Sequence, residues 1–537
     1  MMKFLFAAAA LAATALSAPA FAQEAPKKPQ LIVAISVDQF STVLFNRYRP
    51  HFTGGLKRLA DGVAFANGYQ AHAATETCPG HSTILTGSHP ARTGIVANAW
   101  YDRKAPREDK DVYCAEDERV PGSTSRAYTV SPYHLKVPAM GDRMKRADPA
   151  ARIVAVAGKD RSAIMMGGHG PDQRWYWKSN TFVSDLVTTP APVVAQVNGV
   201  VAQALAQPRA PLTPPAFCAG KDKPVTVGTM TVGTGRFARE AGDASAFTRS
   251  PELDGATLAM AGALFQQMQL GKGGHTDLLA VSLAATDYVG HGFGTDGMEM
   301  CLQIASLDAD LAGFFSLLDK SGVDYAVVLT ADHGGADAPE RAREQGIADA
   351  ARMAQSISPD AIGTEIGRRL GLSGDVLAGE YHVAAGVPEG RHAEVIALGK
   401  QLIAAHPQVE AVYTAAEVAA HPLPTTRPEQ WTTLDKFRAS FDPERSGDLL
   451  VALKRNITTI ANPRPGIVAT HGTIHDYDRM VPILFWRSGV APDNRQESAM
   501  TVDILPTLAS LIGLNVPQGE IDGKCLDIVP GDGTNCQ

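Results

Sequence analysis

The chain has 537 residues, of which 45% are hydrophobic and 20% charged, the composition of an ordinary folded protein with material for a large core. A net charge of −7 argues against a nucleic-acid partner, which needs a basic face. None of the six cysteines forms a C-x-x-C pair, which argues against a cysteine zinc site.

The first 22 residues read as a signal peptide. Lys3 gives a positive start, Phe4 to Ala18 an apolar run, and Ala20-Phe21-Ala22 a small-residue cleavage site. The expected mature start is Gln23, the expected compartment is the periplasm or the medium beyond it, and disulfides are permitted there. No cysteine follows the cleavage site, which argues against a lipoprotein. No later segment reads as a membrane span. Cys525 and Cys536 are close enough to staple the C-terminus, while the pairing of Cys78, Cys114, Cys218 and Cys301 stays open.

Leu31 to Val37 is a continuous, β-branched apolar run that predicts a buried strand ending on Asp38. Thr75 to Tyr101 follows, with the turn Thr77-Cys78-Pro79-Gly80-His81 and a helix predicted over Ser82 to Thr86. A threonine hydroxyl at a helix start lies beside free N–H groups, which favours an ionised oxygen and an incoming phosphate. Arg152 to Ala157 predicts a second strand, delivering Lys159 and Arg161, two cations suited to phosphate oxygens. The stretch from about 165 to 250, with Trp175, Tyr176 and Trp177, reads as an insertion with a loop or lid role, and about 340 to 460 as another.

Asp277 to Leu283 predicts a third strand, after which Asp287 and His291 share one helical face. Met298 to Leu318 predicts a long helix, and Tyr325 to Thr330 a fourth strand ending at Asp332-His333, a metal-ligand signal. His382, His392, His406 and His421 lack partner spacing and read as ordinary histidines. Leu449 to Leu453 and Val481 to Trp486 predict strands, His471 follows Gly466 to Thr470, and Thr501 to Leu514 predicts a helix that Pro506 bends. The alternation predicts an α/β fold: a mainly parallel sheet with helices on both faces, in one domain over 23–537 with insertions over the active-site edge. Aspartates and histidines at the strand ends suit Zn²⁺, and two such ions would clamp an in-line phosphoryl displacement.

The blocks TETCPGH, GIVANAW, GKDRSAI and HGTIHDYDRMVPILF resemble the alkaline phosphatase superfamily over nearly the whole mature chain. They are similar to the nucleotide pyrophosphatase/phosphodiesterases and closer to the threonine-type alkaline phosphatases of bacterial periplasms. The resemblance implies two Zn²⁺ ions, one held by Asp287, His291 and His471, the other by Asp38, Asp332, His333 and Thr77. It implies Thr77 as the nucleophile, through a phosphothreonine, and selects His471 over His475. Asn98, Lys159 and Arg161 would bind the phosphoryl oxygens. Two cations suit the dianion of a monoester, so hydrolysis of small phosphate monoesters is the expected reaction. A phosphodiesterase or pyrophosphatase on the same scaffold is the alternative, and a non-catalytic exported zinc binder a remoter one. Cys78-Pro79-Gly80-His81-Ser82 has neither the arginine nor the proline spacing of the C/S-x-P-x-R block of sulfatases, and the Asp-Ser-Ala block of serine-type alkaline phosphatases is not evident, so no third metal is expected.

Overall fold

Seven strands form the body of the sheet: β1 (Leu31–Val37), β2 (Val63–Tyr69), β3 (Ile153–Ala157), β4 (Gln173–Lys178), β5 (Asp277–Leu283), β6 (Tyr325–Thr330) and β7 (Met480–Arg487). The computed structural model describes residues 27–529 and 534–536, so the expected signal peptide at 1–22 lies outside the described residues. With three short edge strands the sheet has ten strands, ordered Asp493–Arg495, β2, β7, β6, β1, β5, β3, β4 and Thr181–Val183, with Ala499–Met500 paired to β2. Strands β6, β1, β5, β3 and β4 run parallel, and β7 is antiparallel to both its neighbours. Every residue of β1 and β5 is buried, as a parallel sheet covered on both faces requires.

Because strand side chains alternate, β1 feeds two cores. Leu31, Val33, Ile35 and Val37 pack with Leu253, Leu264, Leu307 and Phe315, while Ile32 and Ala34 pack with Met140, Ile504 and Leu508. The helices that position the site or cover the sheet are α1 (Thr77–Ile84), α2 (Asp160–Gly167), α3 (Pro251–Met268), α4 (Ala285–Phe293) and α5 (Met298–Lys320). Helix α5 is long and apolar enough to cross a membrane by composition, contrary to the expectation that no later segment would be. Its Leu302, Leu307, Leu311 and Phe315 are buried in the core beside the sheet, so it is a core helix.

The first expected insertion starts later than about residue 165. Gln173–Lys178 pairs in parallel with β3, and Trp175, Tyr176 and Trp177 are buried there. Three consecutive aromatics are strand-forming residues, and here they build the sheet. The added segment begins after Val183 and braces the helical layer more than it covers the site. Pro192–Leu205 packs on α3, and a Cys218–Cys301 disulfide ties the segment to α5. The hairpin of Val225–Val227 and Met230–Val232 reaches the site edge, against Val468 and Ala469.

The segment from about 340 to 460 has a core of its own, with Ile366, Val395 and Leu449 at its centre. Leu449–Leu453 is a strand, but it pairs with Val409–Thr414 outside the main sheet. This unit returns to the body through Phe437 and Phe441, which meet Ala73 and Ile474. Pro506 does not bend its helix. The helix begins at Ile504, so Pro506 stands in the first turn, where an N–H has no helical partner. Disulfides join Cys78 to Cys114 and Cys525 to Cys536, besides Cys218 to Cys301.

Candidate active site

Four parallel strands end on one edge, and the chemistry follows them there. Asp38 comes directly after β1, Lys159 shortly after β3, Asp287 in the first turn of α4 after β5, and Asp332-His333 shortly after β6. His471 lies in the approach to β7, and α1 brings Thr77 to the same point. Asp38, Thr77, Lys159, Asp287, Asp332, His333 and His471 are all buried, while Asn98, Arg161 and His291 are partly exposed.

Helix α1 starts at Thr77, as expected for a hydroxyl at a helix start, and all eight of its residues are buried. The N–H of Cys78 is not free for an anion, because it donates to Oδ1 of Asn98 at 2.8 Å. That bond fixes the amide of Asn98 with its oxygen toward α1, so its NH₂ is left as a donor. The Asn98 backbone N–H in turn donates to Glu76 at 2.8 Å. Gly80 allows α1 to lie against the Asp332 loop, since a Cβ there would sit 1.9 Å from the Asp332 carbonyl oxygen.

Two cations converge on the Thr77 hydroxyl: Lys159 Nζ at 3.4 Å and Arg161 Nη2 at 3.3 Å. Lys159 also does what the sequence did not indicate. Its ammonium donates to Asp38 Oδ2 and Asp287 Oδ2, at 2.6 Å each. Three carboxylates in one buried cluster need positive charge nearby, and Lys159 supplies part of it. Burial works against the lysine's charge, but Asp287 and Asp38 outweigh it and raise its pKa. Burial also works against ionised Asp287, yet His291 and Lys159 hold it well below the usual carboxylate range. Asp38 goes the other way, raised by burial and by the charge of Asp332.

The residues present fit a metal centre. Asp38 Oδ1, Asp287 Oδ1, Asp332 Oδ2 and His333 Nε2 are buried without a hydrogen-bond partner, a costly state for polar atoms unless something binds them. Two overlapping trios, Asp38–Asp332–His333 and Asp287–His333–His471, have donor atoms within 4.8 Å of one another. His291 stands beside the second trio, with Nε2 3.2 Å from Asp287 Oδ1. In His291, His333 and His471, Nδ1 meets the backbone carbonyls of Ala469, Gly334 and Thr75 at 2.8–2.9 Å. A carbonyl can only accept, so Nδ1 carries the proton and the Nε2 lone pair faces the cluster. Burial pushes His333 down to about 3, which keeps its imidazole neutral and available as a ligand.

Residues 32–478 match the family described as type I phosphodiesterase / nucleotide pyrophosphatase. The chain belongs to that family. Among its relatives, the alkaline phosphatase PhoK of Sphingomonas sp is 53% identical over 95% of this chain and 92% of its own. The alkaline phosphatase PhoD of Zymomonas mobilis is 45% identical over 94% of this chain and 89% of its own. The crystal structure of wild-type alkaline phosphatase PafA matches with a TM-score of 0.82 at 26% identity, covering 95% of this chain and 100% of that one. This phosphodiesterase-family chain therefore shares the PafA fold.

Sequence reasoning missed several supporting residues of this family member. His81 appeared only as a landmark after Pro-Gly, yet its buried ring lies 2.9 Å from the Thr77 carbonyl oxygen, 3.0 Å from Asp332 and 2.8 Å from Ser282. Tyr113 accepts from Arg161 at 3.4 Å and donates to Asp160 at 2.7 Å, and Tyr128 donates to Asp160 at 2.6 Å. The adjacent Cys114 bridges to Cys78, so one disulfide ties the support of Arg161 to the residue after Thr77. Only the neighbouring cysteine signalled Tyr113 in the sequence. His475 bonds to the Leu453 carbonyl at 2.9 Å and is not among the clustered donors.

Proposed function

We propose that this protein is an alkaline phosphatase that hydrolyses phosphate monoesters through a covalent phosphothreonine at Thr77. The observation that carries the reading is the pair of cations, Lys159 and Arg161, both within 3.4 Å of Thr77 Oγ1. A monoester dianion presents three equatorial oxygens, and two charge-assisted donors offset that charge where one alone would not. A diester carries one negative charge and a second organic group, so it gains less from the second cation, and Trp175, Tyr176 and Trp177, buried in the sheet, do not build a pocket for that group.

The resident metals would be two Zn²⁺ ions, with Asp287, His291 and His471 as one ligand set and Asp38, Asp332, His333 and Thr77 as the other. When bound, they supply the positive charge that favours the threonine alkoxide and offsets the leaving oxygen. The chain's own residues do the rest. Thr77, held by the start of α1, attacks phosphorus in line with the ester oxygen. Arg161 and Lys159 hold two phosphoryl oxygens, and the NH₂ of Asn98 donates to another. The alcohol leaves, water attacks the phosphothreonine, and phosphate departs with Thr77 restored. Export to the periplasm by the N-terminal segment completes the reading, and the three disulfides support an oxidising compartment.

Steady-state turnover of p-nitrophenyl phosphate and its bis-ester, each with and without chelator, tests the proposal. The monoester is expected to be the better substrate and chelator to abolish its turnover. A bis-ester rate equal to or above the monoester rate would overturn it in favour of a phosphodiesterase.

A further inference from the structure

A cavity of about 280 Å³ lies between the body and the 340–460 unit, beside the catalytic residues. Its wall includes Glu76, the residue before Thr77, and Gly472, the residue after His471. These two meet: a Cβ on Gly472 would lie 3.9 Å from Glu76 Cγ. The cavity therefore starts beside the proposed nucleophile and beside a histidine of the ligand set that does not include Thr77. The opposite wall carries Glu380, Tyr381 and Phe437, and Trp100 closes the body side.

Glu380 is held there by unusual backbone. It sits in the turn between the paired segments Leu377–Ala378 and His382–Val383, flanked by Gly379 at φ 51° and Tyr381 at φ 61°. A left-handed tyrosine is strained, and such strain is retained where surrounding structure enforces it. The enforcement is visible. A Cβ on Gly379 would come within 2.9 Å of Tyr101 Cβ, and one on Gly447 within 2.5 Å of the Glu380 carbonyl oxygen. Glu380 is exposed and lines the cavity, and among the described residues no hydrogen bond or ion pair engages its carboxylate. The one guanidinium in the wall, Arg445, is already committed. It donates to the carbonyls of Gly94 and His134 and lies over the Trp100 ring at 4.9 Å.

We propose that this cavity receives the leaving group of the phosphate monoester, and that Glu380 with Glu76 selects leaving groups bearing an ammonium charge. Two carboxylates facing one small space favour a cation, and the aromatic walls suit an alkylammonium. Anionic leaving groups meet repulsion, and neutral ones gain nothing from the second carboxylate. The inference rests on the phosphatase reading and specifies its substrate class.

The test compares kcat/KM for phosphocholine, glycerol phosphate and phosphoglycerate in the wild type and in Glu380→Gln. The wild type is expected to prefer phosphocholine over glycerol phosphate by roughly tenfold, with phosphoglycerate poorest, and Glu380→Gln to shrink the first ratio to about twofold. A wild-type ratio of one or less, or a ratio unchanged in Glu380→Gln, would overturn the proposal while leaving the phosphatase reading intact. Loss of turnover on all three and on p-nitrophenyl phosphate in the wild type would sink the phosphatase reading itself. Should the variant fail to fold, inhibition of wild-type p-nitrophenyl phosphate hydrolysis decides. Free choline is expected to inhibit competitively at lower concentration than glycerol, and equal inhibition by the two would overturn the proposal.

Discussion

At the scale of single residues, the proposed mechanism concentrates on one oxygen, Oγ1 of Thr77. In the proposed mechanism Thr77→Ala removes the attacking group and one proposed metal ligand but leaves Asp38, Asp332 and His333 in place, so turnover is expected to fall by about 10³-fold or more with metal content little changed. Elemental analysis beside a turnover assay checks it, and equal loss of metal and activity would assign Thr77 a ligand role alone. Arg161→Ala leaves a phosphoryl oxygen without its charged donor, an expected loss of about 10²-fold on monoesters and less on diesters. Tyr113→Phe acts through Arg161. Removing one hydroxyl that both donates and accepts is worth about 1 kcal/mol, or roughly fivefold in monoester kcat/KM, with thermal stability nearly unchanged.

At the scale of elements, the site depends on how closely α1 approaches the Asp332 loop. Gly80→Ala sets a methyl group against the Asp332 carbonyl oxygen, and neither helix nor loop can move without displacing a ligand. We expect a destabilisation of about 1–3 kcal/mol together with weakened metal binding, read by calorimetry and metal titration. A variant that kept wild-type metal affinity would show that the contact is not a constraint. The elements also show what a sequence conveys. β1, β5 and β6 were legible because a strand buried on both faces must be apolar throughout. β4 was not, since Arg174 and Lys178 flank its three consecutive aromatics and hide a sheet strand inside what read as inserted chain. The start of α1 at Thr77 was legible because Pro79 occupies a first-turn position that tolerates proline.

At the scale of the whole molecule, stability is tied to burial of neutral groups and to covalent links. Burial, with Arg445 beside it, pushes His134 down to about 3. The unfolded chain takes up a proton near the ordinary histidine value of about 6.5, which the folded chain refuses. The stability associated with neutral His134 is therefore complete above about pH 6.5 and is lost as pH falls toward 3. Melting temperatures are expected to drop over that window, and less steeply in His134→Gln; identical slopes would remove His134 from the explanation. The three disulfides close 11, 36 and 83 residues. Thiol titration of the denatured protein should find no free thiols without reductant and six with it. Each link is worth about 2–4 kcal/mol, so reduction should lower the melting temperature markedly.

By itself, the sequence determined the α/β architecture and pointed to residues that the fold gathers at one sheet edge. Apolar runs must be buried, and Asp38, Asp287, Asp332 and His333 stand at or just beyond the ends of such runs, where parallel topology gathers them. The tertiary structure alone decided how those residues meet. It set the bridging of Asp38 and Asp287 by Lys159, the partnership of His81 with Asp332, the two open cysteine pairings, and the closing of a cavity by Glu380 from a different unit. These are contacts between segments far apart in the chain, and nothing local in a sequence encodes a distance across a fold.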